Sequence, residues 1–375
     1  MKTSADVIVI GSGIIGNATA YYLAKNGLDV IVLEKDATIG NGSSSRNGGG
    51  VRQSGRDVRE LPLAIYGVKN LWPTLSDELG MDVEYHQDGN LRLGKTQAHL
   101  VKLKQLADNA SAVGLDVKMI DAKEIKKICP YMSDEVIGAS WCPTDGHANP
   151  LLATLAYYLK ARQLGVQFYS GISVEKLGLV RGKVRKVFTN EGVFDTEMVV
   201  VVAGIGSRPI LNSVGIDIPM NPKIADTIVT EAQPPMFWQM LGTAAADFYG
   251  HQTKHGSFVF GGGSGHETYA KNPQQMYNTS ITASYICRAI GGYFPALNDT
   301  KIVRTWAGCH DICSDGVPVI DRVDELEGLV IGCAFSGHGF GIAPSAAMVL
   351  AELAMGKEAS IDISGLKYDR FVAKA

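Results

Sequence analysis

The amino-acid sequence predicts an α/β protein of two domains, the first of which opens as a doubly wound, Rossmann-like parallel sheet. The chain has 375 residues, more than one ordinary domain holds. Its N-terminal segment follows the order strand, helix, strand, and a glycine-rich turn joins the first strand to the helix. That order is typical of the right-handed unit that starts a parallel sheet.

The first two strands and the helix between them are clear in the sequence. Residues 6–10 (DVIVI) form an apolar run of strand length, and apolar side chains then recur at helical spacing over residues 17–25. Asn26 and Gly27 predict the end of that helix. Residues 28–36 (LDVIVLEKD) predict a second buried strand, parallel to the first.

The turn after the first strand reads GSGIIG, and an acidic residue, Glu34, follows at the end of the second strand. In this fingerprint Gly11 makes the tight turn, Gly13 lets backbone N–H groups approach a pyrophosphate, and Gly16 lets the helix pack closely on the strand. Glu34 is placed to accept hydrogen bonds from a ribose. The motif predicts a bound dinucleotide without separating NAD from FAD, and a turn that only packs is the structural alternative.

The rest of the chain predicts a mixture of loops, strands and helices. Residues 40–55 are rich in glycine and serine and predict a long irregular loop. Further predicted elements are helices over 61–79, over 97–113 and after Asn149-Pro150, strand-like pieces at 83–87 and 89–94, a strand meander over 166–204, a helical patch at 276–290, and a C-terminal strand, glycine turn and helix that begins near Ala343-Pro344.

Composition excludes several classes of protein. Hydrophobic residues make up 46% of the chain, charged residues 19%, and the net charge is −3 without a long basic run, so we expect a globular protein that does not bind nucleic acid. No apolar run approaches the roughly 20 residues of a membrane span, and we expect neither a transmembrane helix nor a signal peptide. The six scattered cysteines indicate a reducing, cytoplasmic location, and Cys309 and Cys313 lack a second pair at metal-ligand spacing, so we expect no metal site.

Five segments taken in order carry a resemblance that covers nearly the whole chain: GSGIIGNATAYYLAKNGLDVIVLEKD, GNGSSSRNGGGVR, VVVVAGIGS, WAGCHDICSDGVPVID and GLVIGCAFSGHGFGIAP. Together they resemble the D-amino-acid oxidase and sarcosine oxidase family of FAD-dependent amine oxidoreductases. The RNGGGVRQ loop is most similar to the β-type catalytic subunits of heteromeric enzymes, such as those of sarcosine oxidase, opine oxidase, hydroxyproline dehydrogenase and hydrogen cyanide synthase.

This resemblance implies a discontinuous FAD-binding domain and an α+β substrate domain whose mostly antiparallel sheet roofs the flavin. We assign residues 1–80, 147–217 and 306–375 to the first and residues 81–146 and 218–305 to the second. The resemblance also implies an α-type electron-transfer subunit as partner, and in some relatives an additional flavin, FMN, at the subunit contact.

The resemblance further assigns residues to the parts of FAD. The turn at residues 337–341 opens a helix, whose N-terminal partial positive charge favours the negative charge of reduced flavin. An ordinary cap before a packed helix is the alternative there. The assigned residues are Gly11, Ser12, Gly13, Ile14, Ile15 and Gly16 for the pyrophosphate, Glu34 and Lys35 for the ribose, Ser43, Ser44, Arg46, Asn47, Gly48 and Gly49 for the loop beside the flavin, Val174 for the adenine, Ala203 and Gly204 for a second pyrophosphate contact, and Gly337, His338, Gly339, Phe340 and Gly341 for the flavin's pyrimidine side.

Arg52 matches the arginine that binds the substrate carboxylate in monomeric sarcosine oxidases, and a guanidinium suits a carboxylate by its bidentate geometry. A solvated loop arginine is the alternative. The sequence departs from its relatives at two places. Residues 308–311 read GCHD where D-amino-acid and glycine oxidases have GLRP, and Gly341 stands where monomeric sarcosine oxidases have a lysine. His310 is therefore a second candidate for the acid group, with a charge tunable near neutral pH, and His338 is a third catalytic candidate.

Three aromatic residues, Tyr249, Tyr269 and Trp306, are candidates to roof the site, with core packing as the alternative. Some relatives attach flavin through a cysteine near the position of Gly308 or a histidine near that of Ser45. Neither nucleophile is present here, so we expect non-covalent FAD. We expect His147, at a helix start, to be a capping or interface residue.

The expected reaction is hydride transfer from the α-carbon of a neutral amine to flavin N5, which gives an imine that water hydrolyses. Substrates of the sarcosine, proline, hydroxyproline, opine or D-amino-acid type are implied. The sequence has no iron–sulfur cysteine set, so electrons pass to a partner protein or to oxygen. The alternatives are a self-sufficient oxidase that makes hydrogen peroxide, a non-catalytic flavoprotein within an electron-transfer complex, and an NAD-dependent dehydrogenase.

Overall fold

The computed structural model describes residues 1–262 and 278–371, so Tyr269 and the start of the helical patch at 276–290 lie outside the described residues. The strands, numbered along the described chain, are β1 (Ser4–Ile10), β2 (Val30–Glu34), β3 (Gly50–Val51), β4 (Asn90–Gly94), β5 (Lys118–Asp121), β6 (Gly138–Cys142), β7 (Gly146–His147), β8 (Gln167–Ser170), β9 (Val174–Val180), β10 (Lys183–Thr189), β11 (Gly192–Val201), β12 (Met220–Ala232), β13 (Met240–Thr243), β14 (Tyr249–Gln252), β15 (Ser257–Gly262), β16 (Ile302–Cys313), β17 (Val319–Arg322) and β18 (Leu329–Cys333). The α-helices are α1 (Ile14–Lys25), α2 (Leu61–Asn70), α3 (Leu75–Leu79), α4 (Gln97–Ser111), α5 (Ala122–Ile128), α6 (Pro150–Gln163), α7 (Ser207–Asn212), α8 (Ser280–Tyr293) and α9 (Gly339–Ala354).

The first sheet carries the glycine turn and is mainly parallel. Its strands run in the order β17, β18, β11, β1, β2, β8, and β9 and β10 extend it from β11 as antiparallel strands. The pairs β1–β2, β1–β11, β11–β18 and β2–β8 are all parallel. This arrangement confirms the predicted Rossmann-like sheet.

Both faces of the parallel sheet are buried, which explains why its strands are continuous apolar runs. Successive side chains of β1 alternate between two cores. Val9 packs with α1, α6 and α9 on one face, and Ile8 packs with Leu211 of α7 on the other. The small residues of α9 let that helix lie close to α1.

The second sheet forms the other layer of the molecule. Its order is β16, β12, β15, β14, β13, β4, β6, β5, and the pairs are antiparallel except for β13 with β4. Leu91, Leu241 and Phe260 on one face pack against α5 and α8. The α+β second layer with a mostly antiparallel sheet is therefore confirmed.

Three predicted elements differ in the structure. Residues 83–87 form no strand, and His86 makes only an isolated bridge to His147. The helix over 61–79 is divided into α2 and α3, because the segment after α2 tightens into a 3-10 turn at Trp72–Thr74 that contains a proline. The C-terminal helix begins at Gly339, with Pro344 inside it rather than at its first turn.

The division into two domains is our proposal. The sequence boundary between residues 305 and 306 falls inside β16, which pairs with β12 from residue 302 to residue 313. Because a strand belongs to the sheet that holds its hydrogen bonds, we assign all of β16 to the second domain and place this boundary after Cys313.

Candidate active site

A cavity of about 630 Å³ lies along the carboxyl ends of β1, β2 and β11. Open parallel sheets bind ligands at this edge, where the connections from neighbouring strands run in opposite directions. Many of the residues that the sequence assigned to the cofactor line it: Gly11, Gly13, Ile14, Ile15, Glu34, Lys35, Ser43, Ser44, Arg46, Val174, Ala203, Gly204, Gly339 and Phe340.

The glycine turn is shaped by close backbone contacts. Gly11 has a φ of +106°, its N–H donates to the Leu33 carbonyl at 2.8 Å, and a Cβ there would lie 2.7 Å from the Val202 carbonyl oxygen. A Cβ on Gly16 would lie 1.9 Å from the Gly11 carbonyl oxygen. Side chains at these two positions would push α1 away from the sheet.

The N-terminus of α1 lies at the cavity, which Gly13, Ile14 and Ile15 line. Its N-cap, Gly13, supplies no side chain, and the first turn holds no acidic residue. The Ile14 N–H donates to Ser44 Oγ at 2.9 Å. Ser12 lies behind the cavity wall, fully buried, with its hydroxyl donating to Asn17 Oδ1 at 2.7 Å. A partly positive helix end of this kind binds phosphate.

Glu34 marks the other end of the cavity. One carboxylate oxygen accepts from the Ser12 N–H at 2.8 Å and the other from the Asp36 N–H at 2.9 Å. Burial raises the pKa of this carboxyl. Each oxygen keeps a further lone pair, so the group can still accept a ribose hydroxyl. Lys35 and Val174 line the same end.

The loop over residues 43–49 is tied to β16. Ser43 Oγ donates to the Cys309 carbonyl at 2.5 Å, and Arg46 Nη1 donates to the Ala307 carbonyl at 3.4 Å. The Trp306 ring N–H donates to the Arg46 carbonyl at 3.2 Å. The loop is therefore held between the two sheets.

The glycines of this loop let it pass directly beneath the second sheet. Asn47 Oδ1 accepts from the Gly49 N–H at 2.9 Å. A Cβ on Gly48 would lie 2.7 Å from the Tyr249 ring, and one on Gly49 would lie 2.3 Å from the Ala148 carbonyl oxygen. Larger residues would separate the loop from the sheet above it.

The turn over residues 334–337 has a strained backbone and places the start of α9 at the cavity. Ala334 and Ser336 have positive φ angles of 59° and 52°, and Gly337 follows at 82°. The Asp311 carboxylate accepts from the Phe335 N–H at 3.2 Å, and burial raises its pKa to about 6. No side chain caps α9 and its first turn holds no acidic residue, so its positive end faces the cavity through Gly339.

The face of the second sheet that covers the loop follows from its register, and we call this face the roof. A row of cross-strand pairs runs over β4, β13, β14 and β15 and consists of Arg92, Gly242, Tyr249 and Gly261. The side chains of residues paired in this way point to the same side of the sheet. Gly48 beneath Tyr249 shows that this side faces the loop. On β16 the Trp306 ring N–H reaches the same loop, so Tyr249 and Trp306 both lie in the roof.

Arg52 lies under the roof. A Cβ on Gly50 would lie 3.4 Å from Arg52 Nε and 3.0 Å from Met240 Cε, so the arginine stem folds back beneath β13. Burial raises the pKa of the Tyr249 phenol, and the charge of Arg52 acts in the opposite direction. The Arg52 side chain therefore lies on the roof side of the second sheet, near Met240.

His338 belongs to a buried charged group that the sequence did not reveal. Its Nδ1 forms a hydrogen bond with Glu60 Oε1 at 2.9 Å, Glu60 Oε2 lies 3.6 Å from Arg56 Nη1, and Arg56 Nη2 donates to the His338 carbonyl at 3.3 Å. Burial lowers the pKa of His338, the charge of Arg56 lowers it further, and Glu60 opposes both. Arg52 is near enough to affect the same pKa.

His310 lies beside this group, because a Cβ on Gly337 would lie 3.0 Å from its Nδ1. Burial lowers the pKa of His310 to about 4, with smaller contributions from His338 and Lys223. The imidazole is then neutral at pH 7. The expectation of a charge tunable near neutral pH was wrong, and His310 can serve an acid group only as a neutral hydrogen-bond partner.

Four residues beside the site are not evident from the sequence: Arg56, Glu60, Arg92 and Asp311. Arg56 and Glu60 are spaced four apart before a helix, which permits an ion pair but does not place it. Arg92 stands between two leucines in a strand, a pattern that predicts a polar side chain on one face of a sheet. This alternation could have identified Arg92 as a polar residue on the face opposite the apolar core.

His147 does not cap α6, because Asn149 Oδ1 accepts from the Leu151 and Leu152 N–H groups at 3.1 and 3.3 Å. The buried His147 ring stacks on His251 with centroids 3.8 Å apart. Burial lowers its pKa well below the usual value. A smaller cavity of about 160 Å³ adjoins this pair and the loop.

The described residues contain no group of three or more His, Cys, Asp or Glu side chains placed to hold a metal ion. Burial raises the pKa of the Cys309 thiol to about 11, which keeps it protonated and a poor nucleophile. Within residues 1–262 and 278–371, no helix combines the length and apolar character that a membrane span requires.

The residues present fit FAD. The cavity joins a ribose acceptor, a glycine turn and an uncapped helix end on one side to the loop and the uncapped end of α9 on the other. This fold and site define a dinucleotide-binding α/β protein whose cavity extends from Glu34 to the N-terminus of α9.

Comparison with known proteins gives the family. The model of the FAD dependent oxidoreductase family (DAO) matches residues 6–353, and the chain belongs to that family. The resemblance found in the sequence and the expectation of FAD are both confirmed.

The relatives cover the whole chain. The beta subunit of sarcosine oxidase from Arthrobacter sp is 28% identical over 99% of this chain and 92% of the relative. An opine oxidase subunit from Rhizobium meliloti is 25% identical over 98% of each chain. The crystal structure of L-proline dehydrogenase from P. horikoshii is 30% identical, with a TM-score of 0.91 over 99% of this chain and 98% of that one.

Proposed function

We propose that this chain oxidises the C–N bond of an amino acid or secondary amine to an imine. The observation that carries the proposal is Arg52, held under the roof beside the positive end of α9. Bound FAD supplies the two-electron acceptor for such an oxidation. The relatives named for sarcosine, opine and L-proline support an amine substrate that carries a carboxylate.

In this proposal each part of the site has one task. Arg52 binds the substrate carboxylate through its guanidinium fork, and Tyr249 and Trp306 close the site against water. The N–H groups from Gly339 to Gly341 stabilise negative charge at the pyrimidine side of the cofactor. His338 is positioned by Glu60, and His310 offers a neutral hydrogen-bond partner.

The residues proposed to hold FAD are those of the glycine turn, Glu34 with Lys35, the loop over residues 43–49, Val174, Ala203-Gly204 and the turn at residues 337–341. Most of them line one cavity, which supports this assignment, whereas Ser12, Gly16, residues 47–49, Gly337, His338 and Gly341 lie outside its lining. We propose that FAD is bound non-covalently, since Gly308 and Ser45 stand where relatives attach it and Cys309 is protonated.

The proposal extends to a partner. Both the sarcosine oxidase relative and the opine oxidase relative are named as single subunits of larger enzymes. We propose that electrons pass to an α-type electron-transfer subunit, with FMN at the contact, and that the complex is cytoplasmic. Peroxide formation by the isolated chain at full turnover would favour a self-sufficient oxidase instead.

The test is reduction of the flavin-loaded chain without oxygen. Sarcosine, iminodiacetate, L-proline, L-hydroxyproline and a set of D-amino acids that includes D-aspartate and D-glutamate are each mixed with the protein, with and without the co-purifying partner, and flavin absorbance is followed. At least one amine is expected to bleach the flavin. Absence of bleaching by all of them, in the presence of the partner, would refute the proposed oxidation and favour a non-catalytic role in the complex.

A further inference from the structure

Arg92 is a roof residue that the proposed function does not use. It lies in β4 between Leu91 and Leu93, whose side chains enter the apolar core on the other side of the sheet. Its partner in β13 is Gly242, and Gly242 pairs with Tyr249 in β14. The arginine therefore points toward the site, two strands away from Tyr249.

The guanidinium of Arg92 has no acceptor among the described residues. Its Nε is buried without a hydrogen-bond partner, and Nη1 packs so closely on Gly55 that a Cβ there would lie 1.5 Å away. Burial and the nearby charges of Arg52 and Arg56 lower the pKa of Arg92 to about 10, and the charge of Asp145 acts in the opposite direction. Three guanidinium groups thus lie in one region.

The carboxylates in this region are engaged elsewhere. Asp145 accepts hydrogen bonds from the backbone N–H groups of Gln53 and Ser54 at 2.6 and 3.2 Å. Glu60 is paired with Arg56 and hydrogen-bonded to His338. Arg92 is half-buried and its buried Nε lacks an acceptor, which is costly, and a ligand with negative charge relieves that cost.

There is open space next to Arg92, at Gly242. A Cβ built on Gly242 would meet only Arg92 Cγ, at 3.9 Å, among the described residues, so the roof is open at this glycine. Arg52 lies beneath the neighbouring Met240. The open region is thereby flanked by two guanidinium groups, and each fork matches one carboxylate.

We propose that Arg92 binds a second acidic group of the substrate, so that the preferred substrates are secondary amines or amino acids that carry two carboxylates. This rests on the proposed function, because it specifies the substrate class of the same site. Arg52 takes the carboxylate next to the reacting carbon, and Arg92 takes the one beyond the nitrogen or on the side chain.

The experiment uses two acids that contain no nitrogen and are not oxidised: diglycolate, with two carboxylates, and methoxyacetate, with one. Each is titrated into the flavin-loaded protein, and the Kd is read from the perturbation of the flavin spectrum. The variants are Arg92→Gln, Arg92→Lys and Arg52→Gln. The control is Arg162→Gln, which removes an exposed arginine on α6.

Arg92→Gln is expected to raise the Kd of diglycolate by about 10- to 100-fold, the range for losing a hydrogen-bonded charge, and that of methoxyacetate by less than about threefold. Arg92→Lys is expected to recover part of the loss, because it keeps the charge without the fork. Arg52→Gln should weaken both acids, and Arg162→Gln neither. Melting temperatures of all four variants report whether they are folded.

Equal weakening of both acids by Arg92→Gln, or no weakening of either, would overturn the proposal. Because neither acid can be oxidised, the titration is independent of amine oxidation. If amines bleach the flavin but Arg92→Gln weakens both acids equally, or neither, this inference alone is refuted. Selective loss of diglycolate in a chain that oxidises no amine would refute the proposed function alone.

Discussion

Replacement of Gly16 by alanine tests the link between the helix position and cofactor binding. The added Cβ would lie 1.9 Å from the Gly11 carbonyl oxygen, whereas ordinary contacts begin at 3.4 Å. The start of α1 must therefore move by about 1.5 Å, and overpacking of this kind costs about 1 to 3 kcal/mol of stability. If two N–H donors to the pyrophosphate are lost at about 1.5 kcal/mol each, the Kd for FAD rises by about 150-fold.

The assay is titration of the apoprotein with FAD, followed by quenching of flavin fluorescence, alongside thermal unfolding. Gly292→Ala is the matched control, since Gly292 also lies in a helix and, among the described residues, a Cβ there would meet only the flexible end of Lys95, at 3.3 Å. This control should keep the parent Kd. A Gly16→Ala protein that binds FAD as tightly as the parent would refute the reasoning.

Three further predictions concern single charged residues. Asp311 has a folded pKa of about 6 against an ordinary 3.8, so the folded state loses stability as pH rises from about 4 to about 6. In urea unfolding, the stability of Asp311→Asn relative to the parent should therefore increase by about 3 kcal/mol over that range. Parallel pH profiles of the two proteins would contradict this. Glu60→Gln leaves Arg56 buried without its counter-charge and should lower the unfolding free energy by about 3 to 5 kcal/mol, whereas the exposed Glu358→Gln should change it by less than about 0.5 kcal/mol. Arg52→Lys should raise KM for the oxidised amino acid at least about tenfold by losing the bidentate fork, with a smaller effect on kcat; an unchanged KM would remove Arg52 from the substrate site.

The parallel sheet and its glycine turn were predictable because their constraints are local. Apolar runs of strand length specify strands buried on both faces. The position of Gly16 follows mainly from its contact with the Gly11 carbonyl oxygen, within one strand, turn and helix, whereas a Cβ on Gly11 would meet Val202, just after the distant β11. The spacing of the glycines between an apolar strand and a helix is nevertheless recognisable in the local sequence.

The roof was less predictable because it depends on pairing between distant segments. β4 comes from the first half of the chain and joins β13 from the second, so the sequence alone does not bring Arg92 beside Gly242. The ionisation of His310 depends in the same way on burial beneath Gly337. A histidine in a glycine-bordered segment carries no sign of that burial.

The start of α9 was misjudged for a different reason. Proline commonly occupies the first turn of a helix, and this preference placed the start near Ala343-Pro344. The structure begins the helix at Gly339, where a Cβ on Gly341 would already lie 3.1 Å from the Gly50 carbonyl oxygen. Tertiary packing decides the helix start here.

The strand order of the first sheet also determines when the cofactor pocket can form during synthesis. β11 pairs with β1 on one side and β18 on the other, and α9 packs on α1. The N-terminal turn therefore emerges from the ribosome long before the segment that completes its surroundings. The apolar first strands of the nascent chain stay incompletely buried until residue 354 has emerged from the ribosome. FAD binding is therefore expected late in synthesis, and the unfinished chain is accessible to chaperones and proteases before then.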